Sequence, residues 1–296
     1  MTHQPDFSGC WAKIDRANVH LDFLRERIKS FAEDMSSYDI RTEDDWQTAK
    51  VFIDGEPEPP VEVLGAIIGD VVHNLRSALD HLVWQLTIAN GYTPPNPIPR
   101  RGQPGGEWRD ISFPVYTADP RAQYPSGRRI PWRYRWPKWS RKKVAGSLWG
   151  VRPDLRTAIQ KLQPFNRRKN PSKEPLAVLD ELWNIDKHRH LHLALFSAAL
   201  DDVGTLVTSV SQPELALRVV KKYTPRPLKG RTEIGSLEYI GEYRDLTPNV
   251  DVSLRVTFDV AFEQGPPAYG GGVIETLKRL HDTVAAIMIE FETKFP

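Results

Sequence analysis

Apolar side chains recur every three or four residues along several stretches of the chain, the spacing of an amphipathic helix. Ile14, Ala17, Leu21, Leu24, Ile28 and Phe31 set this period over residues 7–34. The longest run covers residues 61–90, where Val61, Leu64, Ile68, Val71, Leu75, Leu79, Leu82 and Leu86 fall on one stripe. Asn90-Gly91 ends it, with glycine at the position that follows a helix C-cap. Pro153–Leu162 reads as a short helix stopped by Pro164, and Pro175 opens another with Leu176, Leu179, Leu182 and Trp183 inward. Val273–Phe291 closes the chain as an amphipathic helix.

Elsewhere the period shortens to two. Val250, Val252, Leu254, Val256, Phe258, Val260 and Phe262 alternate with more polar residues, the pattern of a strand with one buried face. Leu215–Tyr223 and Thr232–Arg244 supply neighbours, so an antiparallel strand-rich block is expected over about 203–262. Two short strands are expected within Tyr38–Asp54 and one at Ile111–Tyr116. The order predicts an α+β fold. A helical bundle surrounds the 61–90 helix, the strand block follows, and a helix ends the chain. One compact domain is expected, carrying a basic, Pro- and Trp-rich insertion at about 92–150.

Composition adds the class. The chain has 296 residues, 40% hydrophobic and 26% charged, which excludes wholesale disorder or a fibrous repeat. No apolar run approaches the roughly 20 residues of a membrane span, and the polar start, residues 1–7, lacks the features of a secretory signal. The one cysteine, Cys10, can form neither an internal disulfide nor a multi-cysteine zinc site. A cytoplasmic location and no membrane partner are the expectations.

Charge changes the picture when it is divided. The net charge is +2, yet residues 100–173 hold nineteen Lys or Arg against four acids, a surplus of +15 that leaves −13 for the rest. The same stretch holds Trp108, Trp132, Trp136, Trp139 and Trp149. In its densest part Arg128, Arg129, Arg133, Arg135 and Lys138 alternate with Trp132, Tyr134, Trp136 and Trp139. Cations for phosphates and flat rings for bases are what a single-stranded nucleic acid needs. A solvated loop pinned to the body by its aromatics is the plainer alternative.

The face of the 61–90 helix away from the leucines is unusual. His73, Arg76, Ser77, Asp80, His81 and Trp84 fall within a sector of about 140°, and Gly65, Ala66 and Gly69 lie on the same side. Such a face expects a partner, either another helix of this chain or a second copy through the 61–90 helix. Arg76-Ser77-Ala78-Leu79-Asp80-His81 resembles the R-x4–6-H signature of the HEPN superfamily, helical proteins that include metal-independent endoribonucleases. The resemblance implies Arg76 and His81 as a catalytic pair. A ribose 2′-hydroxyl would attack the adjacent phosphate, His81 would move the proton, and Arg76 would hold the developing phosphoryl charge. It also implies a toxin or antiphage effector that needs no cofactor. A buried polar network that fixes helix packing is the alternative.

Asp186, Lys187, His188, Arg189, His190 and His192 form a second dense cluster. Lys187, His188 and Arg189, with His73, Ser77 and Asp80, are candidates for a phosphate pocket beside Arg76 and His81. His188, His190 and His192 have spacings compatible with a metal, but Lys187 and Arg189 oppose a dication and no full metal motif is present. No metal is therefore expected. Residues 69–86 and 182–193 also resemble two blocks shared by a group of bacterial proteins without an assigned activity. No phosphate-binding Gly-Lys-Ser/Thr loop, dinucleotide fingerprint or nucleophile elbow occurs. The second functional reading is a non-catalytic protein that binds a nucleic acid or acidic partner through the basic insertion.

Overall fold

A computed structural model describes residues 4–34, 44–45, 48–53, 59–91, 111–118, 147–148, 150–166, 169–188, 193–200, 216–222, 231–240, 256–262 and 271–295. The described residues are mostly helical. Five α-helices are present among them: α1 (Ser8–Asp34), α2 (Val61–Ala89), α3 (Pro153–Lys161), α4 (Pro175–His188) and α5 (Val273–Glu292). Single 3-10 turns at Pro164–Asn166 and Pro171–Lys173 link α3 to α4. The helix boundaries lie within a few residues of those the apolar spacing predicts.

α1 and α2 run antiparallel. The start of α1 meets the end of α2, where the Asp6 N–H donates to Gln85 Oε1 at 3.2 Å. Further along, His20 Nδ1 lies 3.9 Å from Asp70 Oδ2. Ile14, Ala17, Leu21 and Leu24 of α1 are buried against Leu64, Ile68, Leu75, Leu79 and Leu82 of α2. α5 packs across both, and Leu277, Leu280, Val284, Ile287 and Phe291 complete the core. Each buried aliphatic side chain contributes about 1.5–3 kcal/mol, so the shared leucine surface is the main force holding the bundle. The Phe7 and Phe295 rings meet edge-on at 6.0 Å and bring the two ends of the described chain together.

α2 departs from the simple amphipathic picture. Ile67, Gly69, Val72, Arg76, Ala78, Val83 and Thr87, off the leucine stripe, are buried as well. The helix is central because α1, α4 and α5 all contact it. Gly91 takes φ 76°, which only glycine adopts without strain, and so ends α2 where the sequence places the stop.

Strands form two antiparallel sheets. In the first, the order is β1 (Asp44–Asp45), β2 (Thr48–Ile53), β5 (Thr232–Ile240) and β4 (Ala216–Lys222). In the second, β3 (Leu193–Leu200) pairs with β6 (Val256–Phe262), with Leu193 opposite Phe262. The described strands thus join α-helices and β-sheets in one architecture. Residues 201–215, 223–230 and 241–255 lie outside the described residues, so the expected 203–262 block is described in pieces.

Two expectations need correction. Leu193–Leu200 is a strand that the period-two pattern missed, because the run LALFSAAL has no polar alternation to reveal it. Ile111–Tyr116, expected as a strand, pairs with no strand among the described residues. Side chains of Arg76, Asp80 and Gln163 take up its backbone polar groups instead.

Candidate functional site

Arg76 and Asp80 stand one turn apart on α2, which points both side chains the same way. Arg76 is 6% exposed. Its Nη1 lies 3.0 Å from Asp80 Oδ1, and its Nε lies 3.5 Å from Asp180 Oδ1 on α4. Nη2 donates to the Phe113 carbonyl at 2.7 Å. The Phe113 N–H donates in turn to Asp80 Oδ1 at 2.8 Å. Nε and Nη1 meet their carboxylates off the hydrogen-bond direction, so these contacts act mainly through charge. The guanidinium also lies 5.2 Å from the centre of the Trp183 ring.

α4 is placed by the same logic as α2. Pro175 starts it, and Leu176, Leu179 and Leu182 bury one side in the core. Asp180 and Trp183, three residues apart, then share the flank that meets Arg76. One turn on, the Lys187 ammonium sits over the Trp183 ring. Burial pushes the Asp80 carboxyl above its ordinary value; the nearby Arg76 charge and the Phe113 N–H offset part of that rise. Lys187 is pushed down by desolvation and by the Arg76 charge.

His81 looks elsewhere. Its imidazole is exposed and lies beside the N-terminus of α1, with Nδ1 3.6 Å from where a side chain on Gly9 would begin. Partial burial and the positive charge of Lys13 lower its pKa. Five residues of helix rotate it about 140° from Arg76. The sequence-predicted pair is therefore not gathered at one place: Arg76 meets α4 and residue 113, and His81 meets α1. His73 is exposed and Ser77 is half-buried on the same helix.

Of the small residues on this face, Gly69 meets α4 of the same chain, whereas Gly65 has open space beside it and Ala66 is exposed. A methyl group at position 69 would lie 2.9 Å from Asp186 Cγ, tighter than normal contact. Gly69 thus lets α4 approach α2, and no second copy is needed to cover this part of the face.

Other predicted residues fall outside what is described. Arg128, Arg129, Trp132, Arg133, Arg135, Trp136, Lys138 and Trp139, with Arg189, His190 and His192, lie outside the described residues. His188 ends α4. Among the described residues, no group of three or more His, Cys, Asp or Glu is placed to hold a metal ion. Cys10 is buried, and desolvation raises its thiol to about 12, which keeps it protonated and unreactive at neutral pH.

Sequence reasoning missed Asp180, Phe113 and Gln163. Gln163 is 1% exposed, and its amide spans the segment next to Phe113. Nε2 donates to the Pro114 carbonyl at 2.9 Å, and Oε1 accepts from the Tyr116 N–H at 3.0 Å. The Phe165 N–H donates to the Tyr116 carbonyl at 3.1 Å, and the Ser112 N–H to the Ser147 carbonyl at 3.2 Å. Asp180 carried a faint signal, since it shares a helical flank with the flagged Trp183. Gln163, after a short helix and before a proline, carried none.

An open cleft of about 700 Å³ lies apart from this cluster, between α3, α4 and α5. Its lining mixes Lys161, Lys278 and Arg279 with Glu174, Glu275, Asp282 and Glu290, which does not single out an anion or a cation. No described helix is long and apolar enough to cross a membrane. Comparison with protein-family models, with curated proteins and with solved structures finds no match for the chain.

Proposed function

We propose that the protein binds a polyanion, with single-stranded nucleic acid as the favoured partner, through its basic aromatic stretch. The observation that carries this is the charge partition: +15 over residues 100–173 against −13 elsewhere, with five tryptophans inside the basic part. A near-neutral molecule so divided presents a polyanion with a strongly favourable region. Lys161, Lys169 and Lys173, at the described end of the stretch, are exposed. The internal commitments of Arg76 support the same reading. A guanidinium already facing Asp80, Asp180 and the Phe113 carbonyl has little left to offer a scissile phosphate. In this reading Arg76, Asp80 and Asp180 are a polar core, and residues 203–262 form one antiparallel block beside the bundle.

The test is binding of a fluorescent single-stranded oligonucleotide across a salt series. Affinity should fall steeply with salt, and His81→Ala should bind as the parent does. Salt-independent binding, or none to RNA or DNA at low salt, overturns the proposal.

Metal-independent RNA cleavage is the second reading, favoured by the Arg76–His81 spacing and by the exposed, partly desolvated imidazole of His81. It requires Arg76 to exchange its carboxylate partners for a phosphate. Cleavage that survives EDTA and disappears in His81→Ala would establish it; intact RNA after prolonged incubation would remove it.

A further inference from the structure

Charges on α1 are sorted by face. Arg16, His20 and Arg27 fall within about 60° of Lys13 around the helix, and Phe23 lies about 20° beyond Arg16. The acids between residues 9 and 30 are Asp15, Asp22 and Glu26, and they fall about 140–180° from Lys13. Arg25 pairs with Asp22 on that far side, where Lys29 also lies. The cationic flank runs along the seam with α2, because Gly9 and His20, which share it, meet His81 and Asp70. Asp70 stands 3.9 Å from His20, so that imidazole already has an acid beside it. Arg16 and Arg27 are exposed and Lys13 is half-buried. Among the described residues none of these three enters an ion pair.

Three cations without acidic partners stand out on a chain whose charge outside residues 100–173 is −13. Bare apolar surface adjoins them: Phe23 is 47% exposed and Val19 54%. The Arg27 guanidinium lies over the Phe23 ring, 5.0 Å from its centre. It covers one face of the ring and leaves the other to a flat partner. Cations for phosphates beside an aromatic platform for bases are how a single strand is held without reading its sequence. We propose that this flank of α1 is a docking surface for single-stranded nucleic acid, with phosphates on Lys13, Arg16 and Arg27 and a base on the Phe23 ring. From Lys13 to Arg27 the flank extends about 21 Å, so it follows a strand rather than a single phosphate. The exposed ring favours a base over the carboxylates of an acidic polypeptide. The inference rests on the polyanion reading above and adds a second contact surface, on α1 and apart in sequence from the basic stretch.

Arg16→Ala/Arg27→Ala and Phe23→Ala in the full chain test this. Arg25→Ala/Lys29→Ala is the control, since it removes the same charge from the far side of the helix. Binding of a fluorescent oligouridylate is measured across a salt series, with unlabelled oligouridylate and poly-glutamate as competitors. Arg16→Ala/Arg27→Ala should lower the salt slope by about 1.4, two phosphates at about 0.7 each. The control double variant should keep the parental slope. Phe23→Ala should weaken binding about tenfold, the scale of one lost base stack, with the slope unchanged. Arg16, Phe23 and Arg27 are exposed, so melting temperatures should stay near that of the parent.

Equal loss of slope in the two double variants would assign the effect to overall charge, and parental affinity in Phe23→Ala would leave no base on the ring. Either result overturns the α1 surface while the polyanion reading stands. Displacement by poly-glutamate as readily as by unlabelled oligouridylate would make the partner an acidic polypeptide and overturns the nucleic-acid assignment. Absence of binding by the parent protein overturns the polyanion reading itself, and the α1 surface with it.

Discussion

Removing the Arg76 guanidinium leaves Asp80, Asp180 and the Phe113 carbonyl facing one another across a vacated space. Breaking a buried ion pair from one side costs about 3 kcal/mol or more, because the remaining partner keeps its desolvation penalty. Arg76→Ala should therefore lower unfolding free energy by about 3 kcal/mol in urea; a loss below about 1 kcal/mol would show the network to be dispensable. Asp80 gives a pH test. Burial holds its folded-state pKa above the ordinary 3.8. A raised acid favours the protonated form in the fold, so its stabilising effect is complete below pH 3.8 and is lost as pH rises through the folded value. The stability of the parent relative to Asp80→Asn should thus decline as pH rises above 3.8, and an increase there would contradict the burial described. His81 behaves in the opposite sense. Its pKa lies below 6.5, so its contribution is present above that value and lost as pH falls through the folded one. An NMR titration of the His81 ring should have its midpoint below 6.5, and Lys13→Gln should raise it; an unchanged midpoint would place Lys13 too far away to matter.

Helices meet through features as small as one missing methyl. Gly69 on α2 gives the Asp186 carboxylate room, and Asp186 is itself exposed and free to turn. In Gly69→Ala, the gain of about 0.5–1 kcal/mol from replacing a helical glycine is opposed by the displaced carboxylate. Little net change in melting temperature is expected. In an Asp186→Ala background the obstacle is gone, and the same substitution should stabilise by about 0.8 kcal/mol. Equal effects in both backgrounds would mean that α2 and α4 do not touch there. Segment 111–116 makes the complementary point. Among the described residues its backbone is held by side chains, and by loop backbone at Ser147 and Phe165, rather than by a neighbouring strand.

Across the whole molecule, the division of charge sets the expected behaviour toward a partner. For a single strand, the logarithm of affinity should fall with the logarithm of salt at about 0.7 per phosphate neutralised, so the slope counts the contacts. A slope equivalent to four or more phosphates fits a stretch with this basic surplus, and a slope near zero does not. The helices were legible in advance because burial of a leucine stripe demands a 3.6-residue period, which α1, α2 and α5 display. β3 was hidden because a strand without polar alternation leaves no period to read. The residues of the polar cluster were partly legible: Arg76 and Asp80 stood out on the helix face away from the leucines, and Lys187 within the dense 186–192 cluster. Their roles were not, because a spacing along one helix records rotation about its axis and nothing of what lies opposite. Sequence alone determined the charge asymmetry, the single thiol and the helical periods, all properties of residue type and order. Tertiary structure decided that Arg76 turns toward α4 and Phe113 while His81 turns toward α1, since those neighbours come from parts of the chain that only folding brings together.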